Sequence, residues 1–198
     1  MIARVVSLLL AASAFAAPAH AQFGETPADE CFAAAAAAER VHRAPAGLLQ
    51  AIALVETGRT GPSGWEPWPW TINVDGRSSR FDDPISAMIA AEAAHARGSS
   101  VDVGCFQVNL RWHGDNATLA ELFDPMGGAL YAARYLSELR GGAGSWQRAV
   151  GHYHSRDRSR ASAYRRRVIT AKNSDAIRER RAWSRTTGFE IARTLSED

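Results

Sequence analysis

The chain has 198 residues, a formal net charge of +2, 46% hydrophobic and 22% charged residues, and two cysteines. These proportions exclude a wholly disordered, collagenous or coiled-coil chain, and the length suits one domain of moderate size with extensions. Two cysteines are too few for a disulfide-stapled miniature or a zinc site built on cysteine alone, and suffice for one bond. Charge is laid out unevenly: residues 1–155 hold 11 Arg against 15 Asp and Glu, while residues 156–198 hold 12 Arg and Lys against 6, so an acidic body precedes a basic end.

Residues 1–21 read as a cleavable export signal. Arg4 opens it, Val5 to Ala17 form an apolar run of about 13 residues, and Ala19-His20-Ala21 is a small-x-small cleavage pattern. The run is short of the roughly 20 residues that span a bilayer. The mature protein is therefore expected outside the cytoplasm without a membrane span, where Cys31 and Cys105 pair with each other. Thr26-Pro27 starts a helix that runs through an alanine-rich stretch to about Val41. Pro45 opens a second, with Leu48, Leu49, Ile52 and Val55 at helical spacing and Gly58 to end it. A Pro- and Trp-rich loop follows (Trp65, Trp68, Trp70), where the aromatic faces either stack on sugars or fill a loop core. Thr71 to Phe81, turning at Asp75-Gly76, reads as a β-hairpin. Asp83-Pro84 starts a third helix that ends near Gly98. Asp102 to Asn109 is a compact segment around Gly104. Further helices are expected at about 118–123, 126–140, 145–153 and 158–171. The fold class is mainly α with one small β element, divided into a signal (1–21), a body (22–172) and a basic polar tail (173–198).

Glu56 is the first candidate for chemistry. It shares a helix face with Leu49, Ile52 and Ala53 and sits in the last turn, where the negative end of the helix dipole disfavours another negative charge. Apolar surroundings and dipole both raise a carboxyl pKa, and a raised carboxyl can deliver a proton near neutral pH. The other reading is a solvated helix-end Glu paired with Arg59. Gln107 and Asn109 suit the hydroxyl and acetamido groups of a sugar, or are satisfied loop amides. His152 and His154 flank Tyr153, and without a nearby carboxylate they do not make a metal site.

Three stretches then occur in an informative order: Leu54-Val55-Glu56-Thr57-Gly58, Asp102-Val103-Gly104-Cys105-Phe106-Gln107-Val108-Asn109, and Ala149-Val150-Gly151-His152-Tyr153-His154-Ser155. Together they resemble the lytic transglycosylase domain of the soluble lytic transglycosylase type, over about residues 30 to 170. Pro69 to Arg77, including Asn73, is similar to the small exported group of that family. The resemblance implies a fold like the α-lobe of goose-type lysozyme, with a small β-hairpin and a long substrate cleft. It implies cleavage of the β-1,4 bond between N-acetylmuramic acid and N-acetylglucosamine of peptidoglycan, leaving a 1,6-anhydro end, with no cofactor and no metal. Glu56 would be the sole acid and base. Gln107 and Asn109 would bind sugar, Tyr153 would orient Glu56, and Phe106, Thr57, His154 and Asn73 would line the substrate. The chain departs from the family pattern at Thr57 (usually Ser), Cys105-Phe106 (usually Leu-Met) and His154 (usually Asn). The resemblance also implies a periplasmic location, and the group commonly accompanies wall-spanning secretion, conjugation or flagellar assemblies. Rival readings are a lysozyme-like muramidase, with a second carboxylate from Glu66, Asp75 or Asp102, and a non-catalytic exported peptidoglycan-binding assembly factor. The Arg clusters at 156–167 and 178–185 read as solvated faces or as attraction to an anionic wall, membrane surface or partner, rather than to nucleic acid.

Overall fold

The computed structural model describes residues 26–62 and 64–180; the expected export signal and residues 181–198 lie outside that range. The chain is mainly helical, with small antiparallel sheets. Helix α1 (Pro27–Val41) starts where the Thr26 hydroxyl accepts from the Asp29 N–H, with Pro27 in its first turn. Helix α2 (Leu48–Thr57) starts three residues after Pro45, because Gly47 adopts φ 81° at its cap and brings no side chain to receive the free N–H groups. The acceptor comes from α1 instead. The buried Glu39 carboxylate accepts from the Gly47 and Leu49 N–H groups at 2.7 Å and from Gln50 N–H at 3.1 Å. Burial raises its pKa above the ordinary value, and these hydrogen bonds pull the other way. Glu39→Ala is expected to lower stability by about 2–4 kcal/mol, since three inward-facing donors lose their acceptor. Urea unfolding with an unchanged slope checks it.

Strands β1 (Arg59–Gly61) and β2 (Gly64–Glu66) pair antiparallel within the Trp-rich loop, which the sequence did not disclose as strand. Strands β3 (Thr71–Val74) and β4 (Arg77–Arg80) form the expected hairpin, and Asp75 and Gly76 both have positive φ, as a two-residue type I′ turn requires. Helix α3 (Pro84–Ala96) is capped by Asp83 through the Ser86 N–H. Strands β5 (Val101–Val103) and β6 (Val108–Asn109) then extend the hairpin into a sheet of order β4-β3-β5-β6. The turn joining them begins at Gly104, whose φ is 75° and where an added Cβ would stand 2.3 Å from the Leu122 carbonyl oxygen.

Four more helices carry their own caps: α4 (Leu110–His113) by Asn109, α5 (Leu119–Phe123) by a Thr118–Glu121 capping box, α6 (Pro125–Ala143) by Asp124, and α7 (Trp146–His154) by Ser145. Asp157 caps α8 (Arg158–Lys172). Helix α1 packs on α6 and α2, α7 packs on α6 and α8, and α8 returns to α2. Alanine supplies the buried face of α1 (Ala28, Ala35, Ala38) and much of that of α6 (Ala129, Ala132, Ala133), so the two axes approach closely.

Two further ties fix the body. Cys31 of α1 and Cys105 of the β5–β6 turn form a disulfide, with Cα atoms 5.9 Å apart and a sequence separation of 74. Past α8, residues 175–180 are helical and return to the body. Ile177 is fully buried against Phe32 and Leu54, and Arg180 pairs with Asp29 at 2.5 Å while lying over the Phe32 ring. Packed structure therefore continues past residue 172.

Candidate active site

Helix α2, held at its start by Glu39, delivers Glu56 in its last turn to a cleft of about 770 Å³. The β-sheet forms one wall, with Asn73, Asp102, Gln107 and Asn109. Aromatic residues of α4 and α6 form another: Trp112, His113, Tyr131 and Tyr135. The end of α7, with His152, Tyr153 and His154, closes the side nearest Glu56.

Burial raises the Glu56 pKa from 4.5 to about 7, and the Asp102 charge adds to the rise. A hydrogen bond from Tyr164 and the positive charge of Arg167 oppose it. The Tyr164 hydroxyl donates to Glu56 Oε1 at 2.5 Å. Tyr164 is fully buried on α8, and its ring stacks face to face on His154 at 4.6 Å. Arg59 does not pair with Glu56; it pairs with Glu66 and lies over the Trp68 ring. With a pKa of about 7 the carboxyl can keep its proton near neutral pH, while the hydrogen bond donated by Tyr164 favours the carboxylate.

The structure redistributes several expected roles. Tyr153 lines the cleft, but its hydroxyl donates to the Phe106 carbonyl at 2.8 Å; the tyrosine that orients Glu56 is Tyr164. Phe106 is 1% exposed and belongs to the core rather than to the substrate surface, because the turn at Gly104 swings its ring inward. Thr57 is also fully buried. Its hydroxyl accepts from the Trp68 N–H at 3.1 Å and faces the Ala53 and Cys105 carbonyls, so it braces α2 against the disulfide turn and the Trp loop. Trp68 and Trp70 pack edge to face inside that loop and Trp65 is exposed; none of the three lines the cleft.

Glu56, Gln107, Asn109, Asn73, Tyr153 and His154 are brought together at the cleft. Gln107 sits at φ 47°, so the segment is not simply extended there. Its Nε2 donates to the Thr71 and Gly104 carbonyls at 3.2 and 3.0 Å, which leaves Oε1 as the end of the amide free for a ligand. Asn109 is more committed: Nδ2 donates to Ser100 and Asp102, and Oδ1 accepts from the Arg111 N–H. Asn73 Oδ1 accepts from the Gly76 N–H within the hairpin. Burial lowers the His154 pKa, as do Arg167 and Arg160, which favours a neutral ring against Tyr164.

Two groups of site residues escaped the sequence reading. Tyr164 lies in an Arg-rich run, and its signal was the i, i+4 pairing with Val168, both buried. The aromatic wall is linked internally: Tyr131 Oη lies 2.8 Å from His113 Nδ1, and His113 packs on Tyr135 at 4.6 Å. Tyr131 and Tyr135 are one helical turn apart on α6, which could have marked a shared face.

Removing the Tyr164 hydroxyl removes a group that holds the Glu56 pKa down. Tyr164→Phe is therefore expected to lower activity and to move the alkaline limb of its pH profile to higher pH. A buried tyrosine with only a packing role would leave that limb in place.

No family model, no curated protein and no solved structure matches the chain.

Proposed function

We propose that the protein is a peptidoglycan lytic transglycosylase with a lysozyme-like helical body, acting on glycan strands at the Glu56 cleft. The observation that carries this reading is Glu56 itself: a carboxyl raised to about 7, facing an open cleft, and held by one hydroxyl. A group that must first give a proton to the glycosidic oxygen and then take one back works best with a pKa near the working pH. The 2-acetamido oxygen of the substrate would stabilise the oxocarbenium-like centre, and its 6-hydroxyl would attack to close the 1,6-anhydro ring. No water enters, and the proton that Glu56 lends is returned from that hydroxyl. The free Gln107 Oε1 would accept from a sugar hydroxyl or acetamido N–H, and the aromatic wall would take the apolar faces of the sugar rings.

Hydrolysis is the second reading, and Asp102 is the observation that favours it. Asp102 lines the same cleft, whereas Glu66 is buried beside Arg59 and Asp75 accepts from the Ser100 N–H at the hairpin. A second carboxylate could activate water, as paired carboxylates do in glycosidases. Against it, Asp102 is already engaged by the Asn109 amide at 2.7 Å, which ties its carboxylate to the sheet rather than to a water in the cleft. Digestion of purified sacculi and mass analysis of the products separates the two. Anhydro-ended muropeptides support the transglycosylase, reducing ends support the hydrolase, and undigested but bound sacculi support an exported wall-binding protein. No helix of the described residues is long and apolar enough to cross a membrane, and the disulfide is consistent with the periplasmic, exported setting this activity needs. A wall-spanning secretion, conjugation or flagellar assembly is the partner such an enzyme would serve, by opening the wall locally.

A further inference from the structure

A second concavity, of about 620 Å³, lies where the start of α2, the junction of α6 and α7, and the outer side of α8 meet. Its floor is apolar, from the buried side chains of Leu48, Val150 and Val168. Ile169 stands 42% exposed at its edge. Three cations surround it, Arg140, Arg165 and Lys172, and no Asp or Glu of the described residues lines it. The Arg140 guanidinium lies over the Trp146 ring at 4.8 Å. Arg165 and Lys172 have no carboxylate partner among the described residues. Arg165 and Lys172 come from α8, in the basic stretch that begins at residue 156, and Arg140 joins them from α6.

From this arrangement we infer that the hollow is a docking site for an acidic amphipathic segment of a partner protein, with an aliphatic or aromatic side chain seated on the floor and carboxylates meeting the three cations. Charge complementarity and shape choose this occupant. A free inorganic anion would use the cations and nothing of the floor. A flat anionic bilayer would meet the rim cations, while its surface could not follow the protein down to Leu48 and Val168. A peptide with one protruding apolar residue between acidic ones uses both parts at once. The site is at the opposite end of α7 from the Tyr153–His154 end that lines the cleft, so occupation need not block substrate.

The test titrates the full chain with a synthetic helical peptide of about four turns, leucine along one face and glutamate elsewhere. Calorimetry reads affinity, and the indole N–H resonances of Trp146 and Trp112 report the two sites. Saturable binding that moves Trp146 and leaves Trp112 in place is expected. Arg165→Gln combined with Lys172→Gln should weaken it roughly tenfold or more, and added salt should weaken it too. Ile169→Asp, at an exposed position, should weaken it without touching the cations. Sacculus digestion by these variants should match the parent. No saturable binding, equal binding of a peptide with lysine in place of glutamate, affinity unchanged in both variants, or movement of Trp112 instead would each overturn the proposal. So would binding of phosphatidylglycerol vesicles or inorganic phosphate at this site in preference to the peptide.

Discussion

Glu56→Gln is expected to cut the release of muropeptides from sacculi by about 10² to 10⁴-fold, the range attached to losing a positioned acid. The amide keeps an oxygen to accept from Tyr164, so the cleft should stay formed and substrate should still bind. The same substitution should stabilise the fold at alkaline pH. The Glu56 pKa is about 7 folded, against 4.5 as its ordinary value. Between those two values the unfolded chain has released the proton and the folded chain keeps it, so rising pH favours unfolding through this group. The penalty is absent below 4.5 and complete above 7, where it amounts to about 3 kcal/mol at one pKa unit per 1.36 kcal/mol, and somewhat less because the carboxyl opens on the cleft. Melting curves of parent and variant should therefore coincide in acid and separate at alkaline pH, with the variant higher. A variant less stable than the parent at alkaline pH would contradict the raised carboxyl.

Opening the disulfide is the second large effect. Cys31 and Cys105 close a loop with a sequence separation of 74, for which chain entropy predicts about 4 kcal/mol of stabilisation. Reduction, or Cys31→Ala with Cys105→Ala, is expected to lower the melting temperature by roughly 10 °C for a protein of this size. Activity should fall before the fold melts. Residues 104–107 carry Gln107 into the cleft, and without the bond that turn is held mainly by the Tyr153 hydroxyl on the Phe106 carbonyl, by Thr57, and by the Gln107 amide itself. Thermal melts and sacculus digestion with and without reductant check both parts. A melting temperature unmoved by reductant would show that the brace contributes nothing.

What was legible in the sequence was legible for local reasons. Thr26, Asp83 and the Asp75-Gly76 pair write their caps and turn directly into a few adjacent residues, and the structure places those elements within a residue or two. Strands β5 and β6 were hidden because three and two residues are too short to display alternation, and β1 and β2 because Gly and Trp mask it. The late start of α2 was set from outside the segment, by a carboxylate eight residues earlier in the chain. Glu56 was found because burial and helix position leave a pattern in its own helix. Its partner Tyr164 lies 108 residues away, and no local pattern links the two. Phe106 and Thr57 were assigned to the substrate by their neighbours in two motifs, yet the turn through Gly104 and Gln107, both at positive φ, leaves Phe106 in the core, and Thr57 on α2 faces Trp68 and Cys105.

The return of residues 175–180 closes α1 and α2 from outside. Phe32 and Leu54 come from α1 and α2, and Ile177, which packs against both, comes from beyond α8. Without Ile177, an apolar notch would open between α1 and the helix that bears Glu56. A chain stopped at Lys172 would keep that notch, together with an Asp29 deprived of Arg180, and should be cut by proteases faster than the full chain under native conditions. Residues 175–180 therefore act as a clasp across α1 and α2, and the protease resistance of the body depends on a segment outside its main helices.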